Sequence, residues 1–319
     1  MRTIRNIIGC LSPVLLVLTF PVVASNVGAM LLMRRRPSDP PDLPENYGIA
    51  FEEVAFLSRG DKVRIGGWWI PAEGESARGT VVMCHGQNGS MDRDTRRMLP
   101  LHRAGYNVLM FDFRAHGRSA GQQVTFGMYE KEDLLGALDY LADERGIEKV
   151  GIFGFSMGAA TGLITAALSD RVACLVVDSP FGRLTRSVAG WIRQRGVPMP
   201  IAREMARWVL AACTIRTAGR IDQTDPVRWT VHIGPRPILY IFGGRDPYVS
   251  KREIRRMVNL TVGPTALWVV DGAGHRGAYN IEPQEYNRRI LAWFGKYLDN
   301  PAKQPDTVTG AQAQPTTGD

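Results

Sequence analysis

The chain has 319 residues, 45% of them hydrophobic and 22% charged, which is the composition of one large or two small globular domains and excludes disorder for most of its length. The formal net charge of +8 is local: residues 1–36 carry five Arg and no acid, residues 181–236 are strongly basic, and residues 37–180 are acidic overall. No Lys/Arg run is interleaved with aromatics on one predicted surface, so this balance argues against nucleic acid and for membrane proximity.

Four cysteines, Cys10, Cys84, Cys174 and Cys213, show neither C-x-x-C spacing nor His partners at zinc spacing, which excludes a disulfide framework and a zinc site. Cys84 and Cys174 fall in apolar runs, where a cysteine acts as a small buried hydrophobe.

The first element lies between Ile7 and Met33, a stretch of 27 residues without a charged side chain. As a helix it would be about 40 Å long, against a hydrocarbon core of about 30 Å. Arg2 and Arg5 precede it and Arg34, Arg35 and Arg36 close it, so residues 1–36 are expected to be a single-pass membrane anchor with membrane lipid as its partner. The alternative is a signal peptide cleaved after Val22-Val23-Ala24, which would leave a secreted or periplasmic protein. The nearly balanced arginines do not choose a side of the membrane.

Residues 37–49, rich in Pro and Asp, are expected to be a linker. Phe51–Ser58 and Lys62–Ile70 alternate around Arg59-Gly60-Asp61 and predict an antiparallel hairpin. Short apolar strands follow at Thr80–Cys84, Val108–Phe113, Val150–Phe155, Val172–Val177, Ile238–Phe242 and Ala266–Val270. Helical patterns at Arg93–Ala104, Tyr129–Arg145, Met157–Leu168, Lys251–Val258 and Pro283–Leu298 separate them. Strand-helix-strand order predicts an α/β fold with a doubly wound, mostly parallel sheet.

Residues 184–233 break that rhythm and read as an inserted helical cap. A helix over Ile201–Cys213 places Met205, Trp208, Val209 and Ala212 opposite Arg203 and Arg207, either to pack on its own domain or to face an anionic surface or substrate. Residues 300–319 are polar and expected to be a disordered tail.

The strongest chemical signal is Gly154-Phe155-Ser156-Met157-Gly158, set between a strand and a helix. Small residues around the serine permit a sharp turn that exposes its hydroxyl at the carboxyl edge of the sheet. A neutral serine needs a base, and of five histidines only His275, in the Gly272–His275 loop after the last strand, has the right address. His102 and His232 read as ordinary helix or surface residues. Asp246, following the strand Ile238–Phe242, is the expected orienting carboxylate, with Asp178 and Asp271 as rivals. Backbone N–H groups of Gln87 and Met157 are the expected oxyanion donors, with His85 and Gly86 supporting the first loop and Gly154 and Gly158 the turn. No phosphate-loop spacing occurs.

In order, these motifs are His85-Gly86, Asp112-x-Arg114-x-x-Gly117-x-Ser119, Gly154-x-Ser156-x-Gly158, Gly244-x-Asp246 and Gly274-His275. With them residues 50–299 resemble the alpha/beta-hydrolase superfamily, and most of all its small, often membrane-anchored members of serine-aminopeptidase-like and esterase type. The resemblance implies hydrolysis of a small-molecule acyl ester, thioester or amide through an acyl-serine, with no metal or cofactor. An acyltransferase of the same fold and a non-catalytic binding or scaffold protein are the alternatives. Nothing in the pattern speaks to oligomeric state, and the basic N-terminus and cap fall outside the resemblance.

Overall fold

The computed structural model describes residues 19–299 apart from 75 and 220. A helix over residues 19–33, α1, leads into β1 (Glu52–Leu57), β2 (Arg64–Ile70), β3 (Gly79–Cys84), α2 (Thr95–Arg103), β4 (Tyr106–Phe111), α3 (Glu130–Arg145) and β5 (Val150–Phe155). Next come α4 (Met157–Leu168), β6 (Val172–Asp178), α5 (Leu184–Arg193), α6 (Met199–Arg216) and the short α7 (Pro226–Trp229). The chain closes with β7 (Ile238–Gly243), α8 (Lys251–Leu260), β8 (Thr265–Val270), α9 (Ala278–Ile281) and α10 (Pro283–Tyr297).

The eight strands of the described residues join one sheet in the order β1-β2-β4-β3-β5-β6-β7-β8. The opening hairpin pairs antiparallel, β2 pairs antiparallel with β4, and every later pair is parallel. The parallel strands are apolar at consecutive positions because both faces are covered. Val82, Cys84, Ile152, Leu175 and Val177 pack with residues of α3, α4 and α8, whereas Val81, Met83, Phe153, Cys174 and Val176 pack with those of α2 and α10. Each large side chain so buried contributes about 1.5–3 kcal/mol, so both layers hold the sheet. Cys84 and Cys174 are fully buried, and burial pushes the Cys174 thiol up to about 12.

The cap expected between β6 and β7 is present as α5 and α6, but the buried face of α6 differs from the expected one. Ala212 is buried and Val209 half-buried as expected, but Met205 and Trp208 are exposed, and Ala202, Ala206, Leu210 and Cys213 make up the rest of the buried face. Small residues at four-residue spacing bring the helix close to its neighbours, a steric advantage that hydrophobicity alone does not reveal. Helix α1 shares this packing: a Cβ on Gly28 would sit 2.9 Å from Val209.

Part of the expected membrane span, residues 7–18, lies outside the described residues, as does the tail 300–319. The described part docks on the body through Ser25, Ala29 and Met33 and exposes Phe20, Val22, Val23, Val27 and Met30. Among the described residues no helix is long and apolar enough to cross a membrane. The end of α1 is stitched to the body: Val124 N donates to Met33 O at 2.8 Å, Arg36 N to Ala115 O at 2.8 Å and Gly117 N to Arg36 O at 3.1 Å. The Arg35 guanidinium adds bonds to the carbonyls of Gly117, Ser119 and Gly121. Residues 37–49, expected as a linker, are also bound: Asp39 accepts the Ser90 N–H at 2.7 Å, and Pro44–Tyr47 forms a 3-10 turn.

The loop between β4 and α3 is held by Arg114. Its guanidinium is buried, donates to fully buried Asp133 and reaches the half-exposed Asp61 at 2.6 Å. That bond holds the Asp61 carboxyl down at about 2. A folded-state value below the unfolded value of about 3.9 gives stability that is present above pH 4 and lost as the pH falls through 2. Asp61→Asn is therefore expected to lower stability by about 1 kcal/mol near neutrality and by little at pH 2. Thermal unfolding across that range checks it, and an equal deficit at both ends would refute the ionic account.

Candidate active site

The sheet brings four loops to the carboxyl ends of β3, β5, β7 and β8. Ser156 stands between β5 and α4 with φ +51° and ψ −109°, a left-handed backbone that a serine adopts only when its surroundings impose it. Those surroundings are tight. A Cβ on Gly154 would lie 2.6 Å from Ala159 Cα, and one on Gly158 would lie 2.2 Å from Cys84 O. Only glycine lets α4 start this close to the end of β3.

The structure brings Ser156, His275 and Asp246 together. His275 Nε2 lies 2.8 Å from Ser156 Oγ, and His275 Nδ1 lies 2.7 Å from Asp246 Oδ2. The Asp246 side chain is fully buried and its other oxygen accepts the Tyr248 N–H at 2.8 Å, while the Tyr248 ring meets the imidazole edge-on. One carboxylate thus holds both the ring and its own loop. The rival Asp178 is committed elsewhere, accepting from Ser179 Oγ and Tyr286 Oη, and Asp271 is exposed.

Gly86 lies against the serine: a Cβ there would be 3.5 Å from Ser156 Cβ. Gln87 follows it, and Met157 opens α4, where the first N–H groups have no partner within the helix. His85 sits beneath this loop, 2% exposed. Its Nε2 accepts the Phe113 N–H at 2.9 Å, which leaves Nδ1 as the protonated nitrogen, donating to Gly86 O at 2.8 Å. Burial, and then the neighbouring His116, push its pKa well below the usual imidazole value.

Sequence reasoning assigned no role to three residues that shape this site. His116 is buried, with Nε2 2.7 Å from Gln87 O and Nδ1 2.8 Å from Arg114 O, and ties the two loops together. Asp94 and Arg276 form an ion pair close to the serine. Only the adjacency of Arg276 to His275 pointed to it. His102, expected as an ordinary helix residue, is buried with Nε2 3.0 Å from Pro71 O, and His232 is exposed. Among the described residues no cluster of His, Cys, Asp and Glu is arranged to hold a metal.

A parallel sheet ending in a strained serine, a histidine and a buried aspartate defines a class of hydrolase. Comparison with known proteins agrees: a family model described as alpha/beta hydrolase fold matches residues 79–227. The chain is 28% identical over 227 residues to the uncharacterised protein YqkD of Bacillus subtilis, covering 69% of this chain and 71% of that one. It is 27% identical over 233 residues to the uncharacterised protein Rv2307c of Mycobacterium tuberculosis, covering 72% and 73%. Among solved structures, an esterase of Pyrococcus furiosus, Pf2001, matches with a TM-score of 0.68 at 26% identity, covering 83% of this chain and 98% of that one. The chain has the alpha/beta-hydrolase fold and is a hydrolase.

If His85 braces the Gly86-Gln87 loop, His85→Ala strands the buried Phe113 N–H and lowers stability by about 1–3 kcal/mol. Denaturant unfolding reads this directly, and an unchanged midpoint would remove the bracing role.

Proposed function

We propose that this protein hydrolyses a carboxylic ester through an acyl-serine intermediate. The observation that carries the reading is the unbroken hydrogen-bond chain from Ser156 through His275 to buried Asp246, with the serine held in a strained turn. In this mechanism Ser156 Oγ bonds to the ester carbonyl carbon while His275 Nε2 takes the hydroxyl proton. Asp246 holds the ring and favours its charged form. The negative carbonyl oxygen sits at the N–H groups of Gln87 and Met157. The carbon–oxygen bond to the alcohol then breaks, and the alcohol leaves with the proton from His275. Water attacks the acyl-serine, gives a proton to His275, and the carboxylic acid departs as Ser156 is restored. The Pyrococcus esterase supports the choice of an ester.

We also infer that α1 meets a membrane surface. Support comes from the apolar side chains it exposes, continuous with the uncharged residues 7–18, and from exposed Ile201, Met205 and Trp208 on the adjoining cap helix. Flotation of the full chain with phosphatidylglycerol vesicles should fall sharply when Phe20, Val23 and Met30 are all changed to Asp. Unchanged flotation would end this reading.

For the chemistry, a fluorophosphonate probe should label the wild type and not Ser156→Ala, and Ser156→Ala or His275→Ala should lose about 10⁶ in turnover of p-nitrophenyl esters. Wild-type activity in Ser156→Ala would overturn the mechanism.

A further inference from the structure

In front of Ser156 lies a cavity of about 870 Å³. Its charged lining is one-sided: Arg34, Arg36, Arg93, Arg97, Arg195 and Arg276 line it, and among the described residues no Asp or Glu does. Three of these arginines have carboxylate partners set back from the wall. Arg93 pairs with Asp39 at 2.8 Å, and Arg97 and Arg276 share one oxygen of Asp94. Asp178 also acts on Arg97, but its oxygens are already taken by Ser179 and Tyr286. Arg34, Arg36 and Arg195 have no ion-pair partner among the described residues.

A second observation is independent of this charge count. The Nε atoms of Arg36, Arg97 and Arg276 are all buried without a hydrogen-bond partner. An unsatisfied buried donor is costly, and all three belong to arginines that line this one cavity. Arg36 is the extreme case: its Nη2 reaches only the carbonyls of Leu31 and Leu32, at 3.4 Å. Burial and then Arg34 push its pKa below the usual guanidinium value, as expected for a cation held without an anion. Arg276 lies near the reaction centre, since a Cβ on Gly86 would be 3.2 Å from its Nη1 and 3.5 Å from Ser156 Cβ.

The cavity also has an apolar wall, made by Leu31 and Leu32 of α1, Phe126, Phe181, and Leu184 and Val188 of α5. A ligand that satisfies both walls has a hydrocarbon part and an anionic part. Resting on the esterase reading, we infer that the cationic wall is an anion-binding subsite, centred on Arg36 and Arg276, for a phosphate carried on the alcohol portion of the ester. The acyl chain follows the apolar wall, so the charge belongs to the other end of the molecule. Planar guanidinium groups offer paired donors that match phosphate oxygens. The shared chemistry is a phosphate-bearing acyl ester, either lipid-like or freely soluble.

The test compares kcat/KM for matched esters below their critical micelle concentrations: octanoylglycerol phosphate against octanoylglycerol, and acetylglycerol phosphate against acetylglycerol. Wild type is expected to favour the phosphate-bearing member by on the order of tenfold or more, as for a charge-assisted hydrogen bond. Arg36→Gln should reduce that ratio, and Arg36→Lys should recover part of it. Fluorophosphonate labelling of Arg36→Gln reports that its fold and nucleophile are intact. Preference in both pairs identifies the phosphate itself as the determinant; preference in the octanoyl pair alone identifies a lipid headgroup. Equal turnover of both members in both pairs, dependent on Ser156, overturns the subsite and leaves the esterase reading intact. An Arg36→Gln variant that labels normally and keeps the full preference also overturns it. If wild type neither labels nor turns over any of the four, the esterase reading falls and the subsite with it.

Discussion

The reactive edge depends on how closely α4 approaches the ends of β3 and β5. A side chain at Gly158 would meet the carbonyl oxygens of Cys84 and His85, at 2.2 and 2.5 Å. Cys84 and Gly154 are register partners in the neighbouring strands, so the approach leaves only a sharp turn between β5 and α4. Ser156 makes that turn in a left-handed backbone, and its strain is borne by two well-packed strands and a helix rather than by the serine alone. The start of α4 then faces the loop after β3, so the N–H groups and positive end of the helix point toward the space where negative charge would develop.

The same device recurs one layer along the sheet. A Cβ on Gly243, the last residue of β7, would lie 2.2 Å from Gly274 O and 2.4 Å from Ala273 O, so the loops after β7 and β8 are in backbone contact. Arg245 N donates to Ala273 O at 2.9 Å and joins them further. Asp246 and His275 therefore arrive on loops whose separation is set by backbone packing. An imidazole held this way needs little reorganisation to stay aligned with the hydroxyl.

These local features are what made the site legible from sequence. A glycine-flanked serine between an apolar strand and a helix, and polar residues directly after parallel strands, encode position through turn chemistry and sheet topology. Other features rest on contacts that no local pattern records. Arg276 meets Asp94 across 182 residues, and His116 meets Gln87 across 29. On α6 the sequence pattern grouped Met205, Trp208, Val209 and Ala212 on one face, while packing buried the small Ala202 and Ala206 that let helices approach and left Met205 and Trp208 exposed. An apolar run such as the one reaching Met33 has the same composition whether lipid or protein covers it. Its docking through Ser25, Ala29 and Met33 is visible only in three dimensions.

The charge asymmetry along the chain acquires its meaning in the fold. Several acids of residues 37–180 are consumed inside the body: Asp133 by Arg114, Asp92 by Arg118, and Asp112 by the N–H groups of Met91 and Arg118. Paired in this way, they contribute little field outside. The basic excess is arranged differently, because α1 and the cap, far apart in sequence, pack together and present Arg34, Arg36 and Arg195 to one cavity. Unpaired cations at the mouth of a low-dielectric cleft focus potential into it, whereas the same cations spread over a surface would be screened within about 8–10 Å. The segments outside the hydrolase motifs thus supply both the apolar wall of the cavity and much of its charge. Variation in them would change what reaches Ser156 without altering how Ser156, His275 and Asp246 are held.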